Sequence, residues 1–170
     1  MLFGDPAHFG IEAYHEPQAG TVGFGRLAVH IAGEVLGNIR EQHVGLGGTA
    51  ERLRELISSL PRDNALDGKT PYEVFSFLDA ALFIDNGQPD EEVRRASDRF
   101  HNFIFLTNSC ESFDGTNSFI YVAADNYVHI VYRRSDDTLV AGQCSSQAFI
   151  AASSRFVEWL DELYRTHDRV

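Results

Sequence analysis

Positive charge is scarce in this chain. Lys69 is its single lysine, Lys and Arg together number 14 against 25 Asp and Glu, and the formal net charge is −11 with a pI of about 4.9. A sequence-independent grip on DNA or RNA needs basic patches that displace counterions from the phosphates, so direct nucleic-acid binding is not expected. Anionic membrane surfaces are disfavoured for the same reason. Cysteine is equally sparse: Cys110 and Cys144 form no C-x-x-C and set no disulfide framework, which fits a reducing compartment. No apolar run approaches the length of a membrane-spanning helix. The opening Met1-Leu2-Phe3-Gly4-Asp5-Pro6 meets Asp5 and Pro6 before an apolar stretch can build, unlike a signal peptide. These features together predict a cytoplasmic protein.

Signatures of chemistry are missing as well. Gly45-Leu46-Gly47-Gly48-Thr49 runs into a predicted helix, but a phosphate-binding loop would need a lysine that is not there; the glycines read as a flexible turn and helix entry. Lys69, beside Gly68 in a polar stretch, lacks the desolvated setting of a catalytic amine. The seven histidines, His8, His15, His30, His43, His101, His129 and His167, make no close metal-ligand pair. Cys110 with His101 could be imagined as nucleophile and base, yet no orienting group or oxyanion site accompanies them. Cys144 ends a predicted strand just before a helix, where a dipole could lower its pKa, although a buried structural thiol is the commoner case. Ser109, Ser112 and Ser118 lie outside any G-x-S-x-G turn, and no calcium loop is present. No catalytic residue, cofactor or metal ligand is therefore assigned.

What the chain does have is enough apolar material for one core. Its 170 residues are 44% hydrophobic, with 13 Phe, 6 Tyr and 1 Trp, and no linker or repeat divides residues 1–170, so a single domain is expected. Residues 8–15 and 22–32 read as an opening strand pair, with Leu27, Val29 and Ile31 alternating against Arg26, Ala28 and His30. Val35-Leu36 begins a short return strand. Residues 49–60 read as a helix with Thr49 as N-cap and Ala50, Leu53, Leu56, Ile57 and Leu60 on one face. Pro71 suits the first turn of a helix to about Leu82, and Glu91 to Phe100 forms another. Strands are expected at Phe103–Leu106, Ser118–Ala123, Tyr127–Arg133 and Thr138–Cys144, rich in β-branched and aromatic residues. A final helix from about Ser145 to Arg165 carries the stripe Phe149, Ala152, Phe156, Leu160 and Leu163, bordered by Trp159, and is expected to pack on the sheet of residues 118–144. The order predicts an α+β fold: mainly antiparallel β-sheet packed against helices, with the C-terminal helix on the sheet.

Acidic residues crowd the middle. Residues 81–125 hold Asp85, Asp90, Glu91, Glu92, Asp98, Glu111, Asp114 and Asp125 against Arg94, Arg95 and Arg99. One reading is a solvated face that keeps the protein soluble. The other is a complementary surface that steers a basic protein partner. On the second reading the candidate contacts are Asp85, Asp90, Glu91, Glu92, Glu111 and Asp114, with Phe113 as the aromatic anchor.

Several stretches together carry a family resemblance: Phe3-Gly4-Asp5-Pro6 followed by Phe9-Gly10-Ile11-Glu12; Gly33-Glu34-Val35-Leu36-Gly37-Asn38-Ile39-Arg40; Phe103-Ile104-Phe105-Leu106-Thr107-Asn108; and Glu111-Ser112-Phe113-Asp114-Gly115-Thr116-Asn117-Ser118-Phe119. Across nearly the full chain these resemble the immunity protein 42 family of bacterial polymorphic toxin systems. The resemblance implies a role without catalytic residues: binding and blocking a cognate toxin domain. The acidity, read separately, suits a basic nuclease as that toxin. The alternative is a small-molecule-binding or enzymatic α+β domain, which a deep apolar pocket with perturbed titratable groups would favour.

Overall fold

A computed structural model describes residues 1–16, 23–83 and 89–167. The elements run β1 (Leu2–Asp5), β2 (Phe9–His15), β3 (Phe24–Ile31), β4 (Glu34–Gly37), β5 (Val44–Gly45), α1 (Leu46–Ser58), α2 (Pro71–Leu82), α3 (Asp90–Phe100), β6 (Ser118–Val122), β7 (Tyr127–Arg133), β8 (Leu139–Ser145) and α4 (Ser146–His167). The fold is α+β, with antiparallel sheets, as the sequence predicts. Its strands form two sheets: β1-β2-β3-β4 with the two-residue β5 also on β3, and β6-β7-β8.

The two sheets are used differently. Phe9, Ile11, Ala13, Leu27, Val29, Ile31 and Leu36 line the inner face of the first sheet, while Glu12, Tyr14, Arg26 and His30 keep the other face polar and more open. That is the alternation of a sheet covered on one side. The second sheet is apolar on both faces. Ile120, Val128, Ile130, Tyr132 and Cys144 join the core with the first sheet, α1 and α4. Phe119, Tyr121 and Val131 point the other way and pack with Val74, Phe75 and Leu78 of α2 and with Phe100 and Phe103. Double-sided burial explains why Ser118–Val122 reads as an almost unbroken apolar run. The sheets meet where β8 crosses the end of β3. A Cβ on Gly142 would lie 2.5 Å from Ile31 Cγ2, so only glycine allows that approach.

In α4, Phe149, Ala152, Ser153, Phe156, Val157 and Leu160 are buried, the i, i+3, i+4 pattern of a helix with one face in the core. The stripe was legible, but its main counterpart is different from the expectation. The helix lies chiefly on β1, β2 and α1, with smaller contacts to β7 and β8. Phe3 of β1 meets Phe156 edge-on at 5.9 Å and Trp159 at 5.5 Å, and Phe9 meets Phe149 at 4.9 Å.

Three local expectations need correction. The strand β1 was not anticipated; it is short and contains Gly4, and pairing with β2 (Phe3 opposite Ile11) creates it. Phe103–Leu106 is not a strand. Ile104 makes an isolated bridge with Phe119, and Ser118 then intervenes, its carbonyl accepting from Phe105 N at 2.8 Å and its hydroxyl from Leu106 N at 3.1 Å. Thr49 is not an N-cap. The helix α1 starts three residues earlier, at Leu46, and Thr49 is fully buried inside it. Thr70, by contrast, caps α2 in a reciprocal pair with Glu73, followed by Pro71.

Candidate interaction surface

The early start of α1 builds the surface of interest. Gly47 and Gly48 occupy its first turn, and a Cβ on Gly48 would sit 2.2 Å from the carbonyl oxygen of Ser109. Glycine there lets the loop of residues 107–114 lie directly on the helix. Two hydrogen bonds hold the loop. Thr49 Oγ1 and Ser109 Oγ are 3.1 Å apart, and Gly45 N donates to Glu111 Oε2 at 2.8 Å. The bond from the Gly45 amide holds the Glu111 carboxyl below the usual glutamate range.

Farther along α1, Arg52 reaches over the same segment. Its guanidinium donates to the carbonyls of Asn102 (2.8 Å), Ile104 and Phe105 (3.3 Å) and to Glu55 Oε2 (2.6 Å). One side chain thus pins residues 102–105 to the helix, and its positive charge is taken up internally.

Two open clefts flank this junction. The larger, about 480 Å³, runs between α1 and the ends of α2 and α3, with Leu82, Phe83, Ile104 and Phe105 as its apolar floor and Glu51 and Glu55 on its wall. The smaller, about 330 Å³, includes Glu111 and Asp114. Gly48, Asn108 and Ser109 line both, so the two clefts form one groove over a saddle that carries no side chain from Gly48.

The sequence-predicted contacts divide. Glu111 and Asp114 come together in the smaller cleft. Glu91 and Glu92 are exposed on the first turn of α3, Glu91 paired with Arg95, and line neither cleft. Asp85 lies outside the described residues, as does the side chain of Asp90. Phe113 cannot serve as an anchor in this conformation: it is 0% exposed, and its ring packs beneath Gly37. Glu51 and Glu55, exposed on α1, are not singled out by the sequence. The diglycine beside them was the available signal, because it marks a close approach to something distant in sequence.

The two thiols are not activated. Burial pushes the Cys110 thiol up to about 11 and the Cys144 thiol up to about 12, which keeps both protonated and inert at neutral pH. The dipole effect imagined for Cys144 loses to desolvation. Cys110 lines the smaller cleft and His101 the larger, so the imagined pair shares no cleft. Among the described residues, no group of three or more His, Cys, Asp or Glu could hold a metal ion.

The chain belongs to the immunity protein 42 family, whose model matches residues 1–166. Its fold is similar to that in the crystal structure of CdiI from Burkholderia dolosa AUO158, with a TM-score of 0.67 at 18% identity over 93% of this chain and 99% of that one. No curated protein matches the chain in sequence.

Proposed function

We infer that the chain is a toxin-neutralising immunity protein, which binds a cognate toxin of a polymorphic or contact-dependent system and protects the cell that makes both. Membership of the immunity protein 42 family over residues 1–166 is the observation that carries this reading. The molecule is suited to inhibition by coverage. Its core is closed, its thiols are inert, and its net charge of −11 favours encounter with a basic partner. A basic nuclease is the toxin chemistry that fits this field, since an acidic inhibitor can occupy a groove shaped for nucleic acid. The acidic region from Asp85 to Glu92, with Glu111 and Asp114, faces that partner. Among the described residues no helix is long and apolar enough to cross a membrane, and action in the cytoplasm is part of the proposal. No chemical step is assigned to the protein. The enzymatic alternative needs a deep pocket with groups tuned toward reactivity, whereas the thiols here are tuned away from it.

Growth of cells expressing the toxin domain encoded by the neighbouring gene is the direct test. Co-expression of this chain is expected to restore growth, and the two purified proteins are expected to form a complex. Two well-folded proteins that fail to associate at micromolar concentration would sink the reading.

A further inference from the structure

Ion pairs neutralise parts of the remaining polar surface. On the open face of the first sheet, His30 pairs with Glu12 and Arg26 with Glu16. Near the β7–β8 turn, Arg134 pairs with Glu34, and Arg133 with Asp79. The groove differs. Its cation, Arg52, is committed to three backbone carbonyls and to Glu55. Glu51 on one wall and Asp114 at the far end form no side-chain hydrogen bond or ion pair with any described residue. Beside Glu51 in the larger cleft lies the apolar floor, to which Phe83 contributes a side chain on a residue that is 41% exposed. An apolar trough walled by an unpaired carboxylate matches a side chain with a long aliphatic stem and a cationic head, and the carboxylate of Asp114 beyond the saddle suits a second one.

We propose that the groove between α1 and the 104–114 segment receives a basic loop of the toxin. The stem of an arginine or lysine lies on Leu82, Phe83 and Ile104 with its charge at Glu51, and a second cation of the same loop lies at Asp114 in the smaller cleft. This rests on the immunity reading above and adds the place and chemistry of contact. Glu91 and Glu92, outside the groove, contribute to steering only. The saddle at Gly48 lets the loop pass from one cleft to the other, since α1 raises no side chain there; Asn108 and Ser109 line the crossing from the opposite side.

The test uses the full chain and, as probe, the purified toxin domain encoded by the neighbouring gene, with affinity and association rate measured at low and high salt. The double reversal Glu51→Arg with Asp114→Arg is compared with Asp67→Arg with Glu158→Arg, which makes the same change in net charge on exposed positions elsewhere. Thermal unfolding of both variants should match the parent, because none of these four side chains forms an ion pair. The groove reversal is expected to weaken binding about 100-fold and to flatten the salt dependence of association, the control by less than about threefold. Equal losses in both variants would assign the effect to overall charge and overturn the proposal. So would a groove variant that binds like the parent, which leaves the immunity reading intact. If the parent itself does not bind the toxin domain, both readings fall together. A parent that self-associates, with dimerisation abolished by the groove reversal alone, would assign the groove to a second copy of this chain and overturn the proposal as well.

Discussion

The two apolar clusters of this molecule are built on opposite plans. The larger gathers the first sheet, α1, α4 and one face of the second sheet into a core of aliphatic and aromatic side chains. The smaller puts α2 and the end of α3 on the far face of the second sheet and leans on polar ties. Asp79 of α2 is 4% exposed and accepts from Asn117 Nδ2 at 2.6 Å and from Arg133 at 2.9 Å. The Arg133 guanidinium also lies 4.8 Å over the Phe75 ring. Asp63 receives a bidentate pair from Arg99 of α3 and is held below the usual aspartate range by it. The proposed groove opens along the seam: α1 and Phe105 come from the larger cluster, Leu82, Phe83 and Ile104 from the side of the smaller. One wall of the groove thus belongs to a closed apolar core and the other to a cluster held in part by polar ties.

The sharpest test of that contrast is a truncation in each cluster. Phe156→Ala removes a fully buried ring that touches Phe3 and Trp159. Unfolding in denaturant should show a loss of about 3–5 kcal/mol. Asp79→Ala should cost about 2 kcal/mol, since it strands Asn117 while the half-exposed Arg133 can turn to water. Hydrogen exchange would separate the two further. The Asp79 variant should raise exchange in α2 and α3 and spare α1 and α4. Uniform loss of protection in both variants would mean the clusters unfold as one unit, and the comparison would collapse.

The same contrast marks what the sequence could reveal. Where one face of an element decides its fate, the pattern was readable. Tyr127–Arg133 is bounded to the residue, and α2 is legible from Pro71 at its start, although its Thr70 cap is not singled out from the sequence. Expectations failed where partners distant in sequence decide. Thr49 has the chemistry of a cap, but packing of Gly48 against Ser109 draws the helix start forward and buries it. Phe103–Leu106 has strand composition, but the Ser118 hydroxyl takes a place in its ladder. The candidate site suffered most. Phe113 was chosen as an exposed aromatic and is core, and the carboxylates that share the groove come from α1 and from a loop about sixty positions later. Periodicity carries no information about which loop lies on which helix.

The smallest expected effect concerns the junction itself. Glu111 is charged in its role: its carboxylate accepts from the Gly45 amide and fastens the loop to the start of α1. That bond lowers its pKa in the folded protein. A carboxyl depressed by folding stabilises the protein fully above its unfolded value, and the contribution drains away as pH falls through the folded value. Glu111→Gln keeps an acceptor but removes the charge. At neutral pH it should lower the midpoint of thermal unfolding slightly, and the gap to the parent should close as the pH is taken down through the carboxylate range. A gap that stays constant with pH would show that the Glu111 charge does not hold the loop. The groove would then owe its shape to Gly48 and Thr49 alone, and the loop carrying Asp114 would belong to the tethered side of the seam.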